Sequence, residues 1–189
     1  MGVSDIMKRF QMKKKLLYVC SVLLIFSASE ANAQVYEIPT PSVQQTEYTL
    51  PFPGILPDHP LYFLKAFRDQ TMEIFTPDVV KKSNLNLLFS DKHIVMGQLL
   101  IDKKNYDLGI ETISKGEKYL LASVIGLEKL KNKDSIPPGL LDKIKISGKK
   151  HKEIITNLAD VISDEPKNIK LKESLEINNQ TIEQIDLLK

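Results

Sequence analysis

The sequence predicts an all-α protein: an antiparallel bundle of about four to five amphipathic helices preceded by a proline-rich extended strap. Three observations lead there. From Leu61 to Leu188 apolar residues recur every three or four positions, the period of a helix that buries one stripe. Cap residues and prolines divide that run into segments with short connections, which makes successive helices antiparallel neighbours. Strand-like alternation is confined to residues 46–52.

The first element is an address. Residues 8–15 carry five bases, and residues 16–28, LLYVCSVLLIFSA, carry no charge. Ala31-Asn32-Ala33 follows. This is the order of a signal peptide, a basic start, a short apolar stretch and a small-x-small cleavage site, here after Ala33. Thirteen residues are too few for a helix to span a bilayer, which takes about 20. Cys20 is followed by more of the apolar run rather than preceded by all of it, so it does not suit a lipid-attachment cysteine. It is the only cysteine, so the mature chain has neither disulfides nor thiol chemistry. An uncleaved signal would instead tether the chain to a membrane.

The formal charge of +2 depends on this address. Residues 1–33 hold five of the 26 bases and two of the 24 acids, which leaves 21 bases against 22 acids. A mature chain so close to neutral offers no electrostatic footing for nucleic acid or an anionic membrane.

Residues 34–57 form the strap. Five prolines (Pro39, Pro41, Pro51, Pro53 and Pro57) fall within it, each fixing φ and removing an amide donor. Tyr48, Leu50, Phe52, Ile55 and Leu56 are apolar cargo that a solvated tether has no use for. We expect residues 48–57 to pack on the helical domain, residues 58–189.

Five helices are expected there. The first spans about 59–75, capped by Asp58 with Pro60 in its first turn, and buries a stripe of Leu61, Leu64 and Phe67/Arg68 at helical spacing. Thr76-Pro77 restarts the chain for a second helix to about Lys103, with Val80, Leu87, Ile94 and Ile101 at seven-residue spacing. Asn105 caps a third, about 106–131. Its stripe of Tyr106, Ile110, Ile113, Leu120, Val124 and Leu127 is broken only at Glu117. Beside it Gly109, Gly116 and Ser123 would admit a neighbouring helix closely. The turn at Asn132-Lys133-Asp134 leads to Pro137-Pro138 and a fourth helix, about 137–162, with a stripe of Leu140, Ile144, Ser147, His151, Ile154, Leu158 and Val161. Asp164 and Pro166 open a fifth, about 165–187, with Leu171, Leu175, Asn178, Ile182 and Ile185 facing inward.

No catalytic constellation stands out. The histidines His59, His93 and His151 share no metal-ligand spacing, and there is no phosphate-cradling glycine loop, nucleophile elbow or dinucleotide fingerprint. The sequence therefore assigns no catalytic residue, cofactor or metal. His151 reads as a buried structural histidine, His93 as a helix-edge residue and His59 as a helix-start residue. The competing arrangement gathers two of the three with Asp58 or Asp91 around a divalent metal. Asn178 either sets helix register or marks a wet position. Asn179-Gln180-Thr181 matches the glycosylation triplet, but in mid-helix.

The stretch Tyr48 to Lys65, YTLPFPGILPDHPLYFLK, resembles the opening of an uncharacterised helical domain of bacterial envelope proteins, among them secreted and anti-sigma-factor-like proteins. That family begins with Leu-Pro-x-x-Pro-Leu-Tyr-x-Leu-Lys. Here the element comprises Leu56, Pro57, Asp58, Pro60, Leu61, Tyr62, Leu64 and Lys65. Leu85, Leu87, Phe89 and Ser90 continue the likeness, which reaches about residue 125. It departs at His93 and Met96, where the family often has Arg and Glu. The resemblance implies a bacterial, extracytoplasmic, helical protein and no activity. Leu61, Tyr62 and Leu64 would anchor the first helix.

The expectation is thus an exported, non-enzymatic protein of the cell envelope or extracellular space, acting as an interaction or structural module. Its partner would be an unknown envelope protein or a second copy. The competing expectation is a small-ligand or divalent-metal binding or sensor module.

Overall fold

The computed structural model describes residues 46–130 and 135–188. The expected signal peptide with Ala31 and Ala33, the strap before Thr46 and the turn at Asn132-Lys133-Asp134 lie outside the described residues.

The described chain is all-helical. Its helices are α1 (Tyr62–Ile74), α2 (Val79–Asp102), α3 (Tyr106–Glu128), α4 (Leu140–Val161) and α5 (Glu165–Leu188). The last four make an up-down-up-down bundle. At one end Leu87, Leu120, Val124, Leu127, Leu140, Ile144, Ile185 and Leu188 form one apolar cluster. At the other, Ile94, Ile101, Ile110, Ile113, Ile154, Ile155, Ile162 and Leu171 form a second. Both draw on all four helices, so each pair of consecutive helices runs antiparallel.

Four helix starts differ from expectation, each for a local reason. Asp58 does not cap α1. It pairs with Lys103 at 2.9 Å, and the chain turns through His59 to Leu61 before the helix begins. Asp78, not Thr76, caps α2, accepting from the Lys81 amide at 2.8 Å, while the Thr76 hydroxyl donates to the Met72 carbonyl and closes α1. Two prolines have no amides to give a helix, so α4 waits until Leu140, after Gly139 turns at φ +80°. Asn105 precedes α3 but makes no side-chain cap. The turn there is made by the backbone, with Lys104 at φ +66° and its successor's amide donating to Leu100 O at 2.9 Å.

Helices α2 and α3 approach most closely. Along α2, Ser83, Ser90 and Gly97 recur every seven residues and meet Ser123, Gly116 and Gly109 of α3 in antiparallel order. The Ser83 hydroxyl donates to Ser123 O at 2.7 Å and that of Ser90 to Gly116 O at 2.8 Å. At Gly97 an added Cβ would lie 2.4 Å from the Ile113 side chain. The small residues expected to admit a neighbour on α3 do so. Their counterparts on α2 are equally necessary.

Helix α1 lies outside the bundle, against α2 and α3, and departs most from the sequence reading. Leu61, Leu64 and Phe67 were expected to be buried, yet they are 50%, 49% and 71% exposed. The inward side of α1 carries Tyr62, Lys65, Asp69 and Glu73, and Asp69 is buried. The apolar stripe faces away because the groove it covers is polar.

Candidate functional site

Between the two apolar clusters every bundle helix contributes a buried polar residue. They are Asp91 from α2, Glu117 from α3, Ser147 and His151 from α4, and Asn178 from α5. His151 is the hub. Its Nδ1 lies 3.0 Å from Glu117 Oε1 and its Nε2 lies 3.0 Å from Asp91 Oδ1. The Ser147 hydroxyl donates to Asp91 Oδ1 at 2.5 Å. Asn178 Nδ2 donates to Glu117 Oε2 at 2.9 Å and to Gly148 O at 3.0 Å. The strap supplies the last member: the Tyr48 hydroxyl donates to Asp91 Oδ2 at 2.6 Å. All four carboxylate oxygens are thereby partnered.

Burial alone would drive His151 toward neutrality, and it is the largest single influence on the ring. The charges and hydrogen bonds of Glu117 and Asp91 together outweigh it and raise the pKa to about 9. The ring is therefore an imidazolium with both N–H groups donating. Burial, and then the Asp91 charge, raise the Tyr48 phenol above its usual value.

Ser147 Oγ is 3.2 Å from His151 Nε2, with Glu117 on the opposite nitrogen. The order is that of a nucleophile, a base and an orienting acid. The chemistry is not. An imidazolium has no lone pair to take the serine proton, and Ser147 is wholly buried. The arrangement can fix helix register and hold one proton between two carboxylates. Asn178 is buried rather than wet, and His151 is wholly buried on its stripe. The imagined metal cluster is not assembled. His151 reaches Asp91, but as an ion pair, and neither His59 nor His93 joins them. No three His, Cys, Asp or Glu side chains among the described residues are placed to hold a metal ion.

A second polar feature lies beneath α1. A cleft of about 320 Å³ is lined by Tyr62, Asp69 and Glu73 of α1, His93 of α2, and Lys115 and Tyr119 of α3. His93 is buried rather than at the edge. Its Nδ1 donates to Phe89 O at 2.7 Å and its Nε2 has no partner. Desolvation holds its pKa down to about 4, so this imidazole is neutral.

The segment from Leu56 to Lys65 connects the strap to α1. Lys65 Nζ donates to Pro53 O at 2.6 Å and Ile55 O at 3.1 Å, tying the strap to α1. Desolvation lowers its pKa to about 8. Leu56 and Pro57 are half-buried, Asp58 and Pro60 exposed, and Tyr62 half-buried at the cleft rim. Leu61 and Leu64 do not anchor the helix. Lys65 and Tyr62 hold it from its polar side. The strap itself docks: Thr46 N donates to Glu153 Oε2 at 3.1 Å, Leu50 packs on the second apolar cluster and Pro53 is buried, while Phe52 and Ile55 stay exposed.

The sequence named His151, Ser147 and Asn178 as members of helical stripes and Glu117 as a break in one. Their union into a single layer with Asp91 and Tyr48 went unseen. The signal was present: the polar interruptions of three stripes fall near mid-helix, at one height in the bundle. Compared with known proteins, the chain matches no family model, no curated protein and no solved structure to a significant degree.

Proposed function

We propose that this is an exported, non-enzymatic protein of the bacterial cell envelope that works as an interaction module, with the outer face of α1 as its contact surface. The observation that carries the reading is the polarity of α1. Phe63, Phe67, Ile74 and Phe75 are 63%, 71%, 69% and 79% exposed, while Lys65, Asp69 and Glu73 are turned inward and Arg68 alone of the charged residues stays outside. Monomers seldom leave so large an apolar face in water. The N-terminal address, the near-neutral mature chain and the likeness to envelope-associated helical domains support the same reading. Among the described helices none is long and apolar enough to cross a membrane.

The test is chemical cross-linking in intact cells of the native chain and of Phe63→Glu/Phe67→Glu/Phe75→Glu. The native chain is expected in a larger cross-linked species, outside the cytoplasm and lacking residues 1–33, and the variant as the single chain. A native chain that stays in the cytoplasm, or cross-links no differently from the variant, overturns the proposal.

One observation favours a second reading, a small-ligand or divalent-metal module: the unpartnered Nε2 of His93 beside the cleft. A neutral imidazole whose other nitrogen donates to a carbonyl is oriented as metal-binding histidines are. Calorimetry with zinc and with copper, repeated on His93→Gln, tests it. Absence of heat with both metals removes the metal form of that reading.

A further inference from the structure

We infer that the partner on the outer face of α1 is a second copy of this chain, joined through an antiparallel α1–α1 contact about a two-fold axis near Asp69. The inference rests on the reading of α1 as a contact surface and names its occupant.

Area is the first argument. Leu61, Phe63, Leu64, Phe67, Met72, Ile74 and Phe75 each keep between 45% and 79% of their surface in water. At roughly 200 Å² for a large apolar residue they expose on the order of 800 Å². A stable dimer buries about 800 Å² per partner, and the largest apolar patch on an ordinary monomer is about 300–600 Å². The face is large enough for a complete interface without help from another surface.

The second argument is self-complementarity. A two-fold contact requires one patch to fit its own image. Reversing α1 about Asp69 brings Phe63 to the level of Phe75 of the second copy, Leu64 to that of Ile74 and Phe67 to that of Thr71, so that large apolar side chains fall towards both ends of the seam and a small one near its centre. Charge agrees with this. At 100° per residue, Tyr62, Lys65, Asp69 and Glu73 occupy the opposite side of the helix. Asp69 and Glu73 also have cationic partners within the chain, Arg68 at 2.6 Å and Lys82 at 4.0 Å. No acid from either copy would be trapped at the seam. A membrane-surface helix ordinarily presents a face rich in Lys and Arg to water, whereas of the charged residues of α1 only Arg68 stays largely in water, the others being turned to the bundle.

The test is sedimentation equilibrium on the protein recovered from cells expressing the full chain. A monomer–dimer equilibrium in the micromolar range is expected. The Phe63→Glu/Phe67→Glu/Phe75→Glu variant should weaken it on the order of 100-fold or more, with an unchanged helical dichroism signal. Geometry is read separately from spin labels, with Cys20 replaced by Ser wherever it is retained. Labels on Met72→Cys should lie about 15 Å closer across the dimer than labels on Leu61→Cys, from the helical rise and their distances from residue 69. A native chain that is monomeric at 100-fold higher concentration, roughly 0.1 millimolar, overturns the inference. So does a dimer indifferent to the triple variant, or one whose label distances run the other way. A monomer that nevertheless cross-links to another species in intact cells leaves the interaction reading standing and removes the second copy alone. Flotation of the monomer with neutral lipid vesicles would hand the same face to a membrane and likewise overturn the dimer.

Discussion

Gly97 and Gly109 meet backbone to backbone. A Cβ on Gly97 would lie 2.8 Å from Gly109 O, and a Cβ on Gly109 would lie 2.9 Å from Gly97 O. Both glycines are in helices, where they cost stability locally, so their presence is explained by how closely α2 and α3 approach.

The first prediction follows from that approach. Gly97→Ala and Gly109→Ala should each destabilise the protein by about 1–3 kcal/mol, the usual cost of forcing atoms into a packed interface. Gly126→Ala is the control. A Cβ there meets only the Val79 side chain, at 3.7 Å, and should stabilise α3 by about 0.5–1 kcal/mol. Urea unfolding of the three variants checks both signs.

A second prediction concerns the polar layer. His151→Ala removes the cation between two buried carboxylates and should cost about 3–5 kcal/mol. Tyr48→Phe removes one hydrogen bond to a charged group and should cost about 1.5–3 kcal/mol. If urea unfolding shows His151→Ala to be harmless, the imidazolium does not hold the layer together.

A third prediction is a stability maximum near pH 6.5. Folded His151 titrates near 9 against a reference of 6.5. Its contribution is complete below pH 6.5 and is lost as pH rises through 9. His93 behaves oppositely, titrating near 4 when folded. Its contribution is complete above pH 6.5 and is lost as pH falls toward 4. Each window is worth roughly 3 kcal/mol at most. Melting temperature measured from pH 4 to 8 should fall on both sides of 6.5, and His93→Gln should flatten the acid side alone; above pH 8 the depressed Lys65 ammonium adds stability and offsets the loss at His151.

Lys65→Met tests the strap. It removes two hydrogen bonds to strap carbonyls from a cation and should cost about 1–3 kcal/mol. Limited proteolysis should then cut within residues 50–60 sooner than in the native chain, with α2–α5 still resistant.

The left-handed Lys104 gives a fifth prediction. Lys104→Gly relieves a positive φ that a side chain resists. It should stabilise the protein by about 0.5–1 kcal/mol, even with the loss of the lysine's position 6.0 Å over the Tyr106 ring. Thermal denaturation reads the difference directly.

Much of the architecture was legible because periodicity reports burial directly. Leu87, Ile94 and Ile101 on α2 and the six-residue stripe on α3 were placed correctly from spacing alone. The same rule failed on α1, where Leu61, Leu64 and Phe67 follow the period but face outward. Period identifies a stripe, but what the stripe faces is decided by the neighbour, and here the neighbouring groove holds His93, Lys115 and Tyr119. Val161 failed for a simpler reason. It is the last residue of α4 and is 80% exposed, past the end of the core. The polar layer was half-legible. Its members appeared one helix at a time as flaws in otherwise apolar stripes, and only the register between helices, which no single stripe contains, shows them to be one structure.

That register bears on how the protein comes apart. Were α4 and α5 to peel away, Asp91 and Glu117 would be left on either side of the vacated ring without its charge between them, and His151 would carry that charge off alone. No half of the bundle is a comfortable resting place. Thermal and chemical melts should therefore pass straight from intact to unfolded, and a fragment ending at residue 130 should not persist as a helical hairpin.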